Sequence, residues 1–200
     1  MRRAAGLLAL IAALAFFAAA GRDAFDRWVN GTAMPPLAVP TSTLVLDRHG
    51  DLLRAYQVED GRWRLPLTVE EVDRDYVAAL IRYEDQRFFR HRGVDPLALA
   101  RAAGQALRNR AVISGGSTLT MQVARLLEGT GTGRIRGKLR QMRVALALER
   151  RLKKDEILSL YLKLAPMGGN IEGVRAASLA YFGKEPRRLT PAEAALLIAL

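Results

Sequence analysis

Arg2 and Arg3 are followed by an uncharged apolar run from Ala4 to Ala20, which closes at Gly21, Arg22 and Asp23. At about 1.5 Å per residue a helix of that length spans roughly 26 Å, close to the hydrocarbon thickness of a bilayer. The run therefore reads as one membrane crossing. Ala18, Ala19 and Ala20 also resemble a signal-peptide cleavage site, so a cleaved leader is the alternative; the run is longer than the usual signal core, which favours a retained anchor. The leading arginines place the N-terminus in the cytoplasm and everything after Arg22 outside the inner membrane.

The rest of the 200-residue chain is long enough for a single domain with a substantial core, half of its residues being hydrophobic. Its 31 Lys and Arg against 20 Asp and Glu give a formal charge of +11, which calls for an anionic partner: phosphate groups, an acidic membrane surface or nucleic acid. Export across the membrane disfavours DNA. With no cysteine, thiolate chemistry and sulfur-ligated metal are excluded, and having only His49 and His91 argues against a multi-histidine metal site.

Residues 1–22 are thus assigned to the anchor, residues 23–42 to a stalk punctuated by Pro35, Pro36 and Pro40, and residues 43–200 to the domain. Thr43 to Asp47 and Leu52 to Val58 read as strands around the turn Arg48-His49-Gly50-Asp51. Thr68 with Glu71 forms a capping box, opening a helix whose stripe Val72, Tyr76, Leu80 and Tyr83 leads to Glu84. Asp95 and Pro96 start a helix through about Leu107, and Ser117 caps another to about Leu127 before Gly129. A basic amphipathic helix from about Arg134 to Leu152, one from Asp155 ending before Pro166, and a last one opened by Thr190, Pro191 and Glu193 complete a mostly α fold with a small β element near the membrane. The last helix is still apolar at Leu200, which reads as a chain cut short.

Three segments carry chemistry. In Glu84-Asp85-Gln86-Arg87-Phe88-Phe89-Arg90-His91-Arg92-Gly93, an acidic pair at a helix end is followed by two phenylalanines, an arrangement that can set a carboxylate against a hydrophobic wall and tune it for acid or base work. By spacing alone the commoner case is a helix end with solvated charges and a core Phe pair. In Ser114-Gly115-Gly116-Ser117-Thr118-Leu119-Thr120-Met121-Gln122, a glycine loop meets hydroxyls at a helix start, where free N–H groups suit an anion, with Arg125 two turns on; such a loop is more often only a turn. In the helix after Arg134, Lys138 and Gln141 follow at i+4 and i+7, so the three share a face that can meet a diphosphate, or form a solvated basic stripe on lipid headgroups.

Together and in this order, these segments resemble the motifs of glycosyltransferase family 51, the peptidoglycan glycosyltransferase domain of class A penicillin-binding proteins. The likeness continues through Asp155-Glu156-Ile157-Leu158-Ser159-Leu160-Tyr161-Leu162, Ala176-Ala177 and Tyr181-Phe182-Gly183-Lys184, covering Thr43 to Leu200. Gly-Gly-Ser-Thr-Leu-Thr-Met-Gln is most similar to the penicillin-binding protein 1C branch. The resemblance implies a lysozyme-like α-helical domain with a jaw near the membrane, in which lipid II units join into a β-1,4 glycan strand. It implies that Glu84 is the base and that Lys138 and Gln141 share the catalytic centre. Ser117, Thr118, Gln122, Arg125, Arg134, Gly115 and Gly116 would hold the pyrophosphate, while Asp85, Phe88 and His91 shape the site. Its partners would be lipid II, the growing glycan strand, inner-membrane lipid and other cell-wall synthesis proteins, with no nucleic acid.

Two departures stand out. The family's Arg-Lys-x-x-Glu is Gly137-Lys138-Leu139-Arg140-Gln141 here, and Met121 replaces a usual glutamine. The resemblance implies a divalent cation, magnesium or manganese, beside the pyrophosphate, yet Gln141 cannot hold one as a glutamate would, which leaves that expectation open. No S-x-x-K motif occurs, so the family's transpeptidase half lies outside these residues. The rival readings are a lysozyme-like peptidoglycan-cleaving enzyme, which needs no cationic pyrophosphate site, and a non-catalytic basic module on a membrane surface, which has no use for Glu84 and Asp85.

Overall fold

The computed structural model describes residues 2–109, 115–129 and 135–200. Helix α1, Arg2–Asn30, carries the apolar run and does not end with it at Gly21. It continues eight residues into the segment expected to be an irregular stalk, because no proline intervenes before Pro35 and Val29 is fully buried against the domain. Gly6–Asn30 is long and apolar enough to cross a bilayer.

Strands β1 (Leu44–Leu46) and β2 (Leu52–Ala55) form the expected antiparallel hairpin, pairing Leu44 with Ala55 and Val45 with Arg54. Its turn is held by the Asp47 carboxylate, which accepts from the N–H groups of His49 at 2.7 Å and Asp51 at 2.9 Å, the local closure that makes Asp a turn residue. A second, parallel pair joins β3 (Trp63–Arg64) to β4 (Ile171–Glu172), more than a hundred residues away. Two-residue strands have no periodicity for a sequence reading to detect, and this pair was not foreseen.

The capping box at Thr68 exists, its N–H donating to Glu71 Oε2 at 2.8 Å, but it starts only a 3₁₀ turn, Val69–Glu71. The chain then straightens at Val72 and restarts as α2, Arg74–Glu84, capped by Asp73, whose carboxylate accepts from the N–H groups of Asp75 and Tyr76. Of the proposed stripe Val72, Tyr76 and Leu80 are buried, whereas Tyr83 is 72 % exposed. Helix α3, Pro96–Asn109, and helix α4, Leu119–Glu128, follow. The cap of α4 is Thr118, not Ser117, and its end is Gly129 in the left-handed conformation. Helices α5 (Ile135–Glu149), α6 (Lys154–Leu164, capped at Lys153 rather than Asp155), α7 (Val174–Phe182) and α8 (Pro191–Ala199) complete the chain.

Helix α4 is the hub: it packs on α5 and α6, while α2 rests on α8 and α7 on α6. Leu119, Val123 and Ala124 of α4 meet Val144 and Leu148 of α5, Ile157 and Leu162 of α6, and Tyr76 and Leu80 of α2 in one core. Each large apolar side chain removed from water here contributes about 1.5–3 kcal/mol. The packing fixes the ends of α2 and α4 and the first turns of α5 relative to one another, and the candidate site lies there.

Candidate active site

Asp85 follows the last residue of α2 in extended backbone and turns its carboxylate inward, 8 % exposed. One oxygen accepts from the N–H of Leu119 at 2.9 Å, and both lie within 3.1 Å of His91 Nε2. An acid at a helix N-terminus satisfies an otherwise unpaired N–H and complements the helix dipole. Asp85 thus draws the start of α4 to the end of α2.

The glycine loop is seated by close backbone approaches. Thr118 Oγ1 donates to the Gly93 carbonyl at 2.5 Å and accepts from Met121 N at 3.1 Å. Gly93 has φ +89°, and a Cβ there would lie 2.6 Å from the Ala145 carbonyl oxygen on α5; at Gly116 it would lie 2.8 Å from Leu99 Cδ2. At Gly93 only a residue without a side chain fits, whereas at Gly116 the tip of Leu99 would have to give way.

Between these anchors, Glu84 is half-buried and accepts from Gln122 Nε2 at 2.7 Å. A cavity of about 330 Å³ opens in front of it, lined also by Asp85, Arg87, Arg101, Gly115 and Ser117. Lys138, on the first turn of α5, donates to Ser117 Oγ from behind the loop. Partial burial first, and the Arg125 charge second, hold the Lys138 ammonium below the usual lysine pKa. Burial pushes the Tyr161 phenol up; the Glu84 charge raises it further and the Arg125 charge opposes that. Tyr76, fully enclosed, is likewise pushed up by burial, then by Tyr161 and Glu84. The Arg125 charge thus reaches both Lys138 and Tyr161, and the Glu84 charge reaches Tyr161 and Tyr76. A larger cleft, about 660 Å³, runs from Arg125 between the end of α4, Pro36 to Pro40, and Arg62 and Arg64.

The site thus gathers Glu84, Gln122, Arg125, Ser117 and Lys138, with Gly115 and Gly116 shaping the loop. Four expected residues stand differently. Thr118 lines the cavity at Glu84, but it is 1 % exposed and spends its hydroxyl on the Gly93 and Met121 contacts. Phe88 is fully buried in the core and Phe89 is 61 % exposed, and neither lines the cavity at Glu84, so the anticipated phenylalanine wall is absent there. The Glu84 charge is instead felt by the enclosed phenols of Tyr76 and Tyr161. Gln141 is 3 % exposed, with no partner for its amide nitrogen among the described residues, so it does not share an open face with Lys138. Helical spacing placed it one turn on, and packing of α5 against α4 turned that position inward. Arg134 lies outside the described residues. His91 supports the site through Asp85 only.

Two residues escaped the sequence reading. Arg101 lines the cavity, but nothing in the sequence distinguishes it from the other arginines around it. Tyr161 lay in a quoted motif without a role, and only the fold brings it within reach of the Glu84 charge. Among the described residues there is no group of three or more His, Asp or Glu placed to hold a metal ion.

Residues 49–200 match the family described as Transglycosylase. The chain is 48 % identical over 187 residues to penicillin-binding protein 1C of Escherichia coli K12, covering 94 % of this chain and 23 % of that protein. It is 39 % identical over 137 residues to penicillin-binding protein 1A of Vibrio cholerae, covering 68 % and 17 %. With penicillin-binding protein 1F of Bacillus subtilis it shares 32 % over 164 residues, covering 82 % and 22 %. The chain spans less than a quarter of the length of each of these relatives. A matched segment that contains the acid, the glycine loop and the lysine helix together leaves one assignment, and the chain belongs to the transglycosylase family.

Proposed function

We propose that the chain is a peptidoglycan glycosyltransferase that joins lipid II into β-1,4-linked glycan strands on the outer face of the bacterial inner membrane. The reading is carried by the Lys138–Ser117 hydrogen bond, which ties a cation on α5 to the same loop that flanks Glu84. A hydrolase needs the acid without that cation. The penicillin-binding relatives lend support.

In this mechanism Glu84 takes the proton of the acceptor sugar 4-hydroxyl. The freed oxygen bonds to the donor anomeric carbon as the bond from that carbon to the pyrophosphate oxygen breaks, which inverts the centre and releases undecaprenyl pyrophosphate. Gln122 holds one Glu84 oxygen and so leaves the other for the proton. Lys138, Arg125 and the Ser117 hydroxyl stand ready for the charge developing on the leaving group, and donors placed in advance need no reorganisation in the transition state. Gln141, neutral and enclosed, offers no carboxylate to a divalent ion. Neutralisation of the leaving group is therefore assigned to the cationic side chains, and no step is routed through a metal.

The test incubates purified protein with labelled lipid II and separates glycan strands on a gel. Polymer from the wild type and none from Glu84→Gln is the expected result. Equal polymer from both would reject the base, and shortening of added glycan strands would favour the cleaving enzyme.

A further inference from the structure

The end of α1 is not a loose tether. Arg143 donates to the Trp28 carbonyl through Nε at 2.9 Å and through a terminal nitrogen at 2.6 Å, and its guanidinium lies 4.9 Å from the centre of the Trp28 ring. Arg150 pairs with Asp26, donates to Asn30 Oδ1 at 2.8 Å, and lies 5.9 Å from the Phe25 ring. Arg140 reaches the Ala33 carbonyl at 2.8 Å. Between them Val29 is fully buried. Arg140 and Arg143 belong to α5, the helix that carries Lys138, and Arg150 follows its last residue.

The order of these contacts has a direction. Reading α5 backwards from Arg150 through Arg143 to Arg140, the partners climb from Asp26 through Trp28 to Ala33. Helix α5 therefore runs antiparallel to the exit of α1 and rises away from the apolar segment toward Lys138. Asp26 is four residues past Arg22, about 6 Å along the helix, which is the depth of a headgroup layer. With α1 taken as a membrane span, the lowest point of the clamp falls at the bilayer surface, and α1 is helical on both sides of it.

We propose that Arg143 and Arg150 are positioning residues that set the height of Lys138 above the bilayer, so that the pyrophosphate of a membrane-held substrate meets it. The inference rests on the lipid II reading and on α1 as a membrane span. The substrate's pyrophosphate is itself held at a fixed depth by its buried prenyl chain. Two groups each fixed to the same surface meet without a search, and a displacement of about 1 Å can cost up to 10²-fold in rate. A bidentate, stacked arginine suits this use because its planar fork resists rotation, whereas a lysine is a flexible point charge.

The experiment uses the full chain in vesicles of phosphatidylethanolamine and phosphatidylglycerol, comparing wild type with Arg143→Ala/Arg150→Ala and with Arg143→Lys/Arg150→Lys. Each is given lipid II in the same vesicles and, separately, a water-soluble analogue whose prenyl chain is cut short. The alanine pair should lose at least about tenfold in kcat/KM on the bilayer substrate and stay within about twofold on the soluble one. The lysine pair should show the same split in weaker form. Equal losses on both substrates in both pairs would mean that the arginines only hold the fold together, and unchanged rates on both would mean that the clamp is idle; either result overturns the proposal. A wild type inactive on both substrates overturns the polymerase reading, and this inference with it.

Discussion

Gln122 donates its side-chain amide to Glu84 Oε2 at 2.7 Å, joining the first turn of α4 to the last residue of α2. The bond is only partly buried, so its worth is orientation more than stability. Gln122→Ala is expected to lower kcat by about tenfold, against about 10²–10⁴-fold for Glu84→Gln, because the first frees a base and the second removes it. Single-turnover kinetics with labelled lipid II separate the two; a Gln122→Ala rate equal to wild type would show that Glu84 needs no such support.

Lys138 gives the site an alkaline limit. Burial and then Arg125 hold its ammonium below the ordinary lysine value of about 10.4. Activity that needs the cation should therefore fall at a pH below that value. Arg125→Gln removes the smaller cause and should move the alkaline limb upward, even as the overall rate drops. The same depression makes the unfolded chain bind more protons than the folded one between the two pKa values, so stability should rise with pH across that window. A pH profile of kcat/KM whose alkaline limb is identical in the two proteins would remove Arg125 from the neighbourhood of Lys138.

Glu172 and Arg64 are 4 % and 6 % exposed and meet at 2.7 Å, with Arg62 on the other Glu172 oxygen. Removing Glu172 leaves the enclosed Arg64 charge with only the half-exposed Asp60 and the Pro40 carbonyl. Glu172→Ala should cost about 3–5 kcal/mol, whereas replacing Arg64 and Glu172 together by apolar residues should cost much less. Thermal unfolding of the single and double variants decides it; additive losses would contradict the account.

Gly93→Ala places a Cβ 2.6 Å from the Ala145 carbonyl in a residue with φ +89°. The left-handed backbone alone costs an alanine about 1–2 kcal/mol, and the clash adds to it. Because the Gly93 carbonyl receives Thr118, the glycine loop should loosen as well. Denaturant unfolding together with protection of the Leu119 N–H from exchange would measure both effects, and an unchanged midpoint would be contrary to the geometry.

Gln141→Glu restores the residue usual in the resembled motif, but at a position 3 % exposed. An enclosed carboxylate without a partner either destabilises the fold or takes up a proton. The variant should melt lower than the parent at pH 8 and recover part of the difference at pH 5. Equal melting temperatures at both would mean that Gln141 faces water.

Much of this was written in local residue order. The apolar run before Arg22, the Asp47 turn, the Asp95-Pro96 and Thr190-Pro191-Glu193 helix starts and the glycine loop are short-range signals, set by backbone preferences and capping within a few residues, and they hold in the fold. The acid, loop and lysine segments were also visible as candidates, each ambiguous by itself. Tertiary packing decided what local chemistry could not. It turned Phe88 and Gln141 inward, left Tyr83 exposed, paired β3 with β4, and carried α1 beyond Gly21 into the grip of Arg143 and Arg150. The physical reason is that a side chain's spacing fixes its angle on its own helix, while its burial and partners depend on which distant surface arrives opposite, as Leu119 arrives at Asp85 and Ser117 at Lys138.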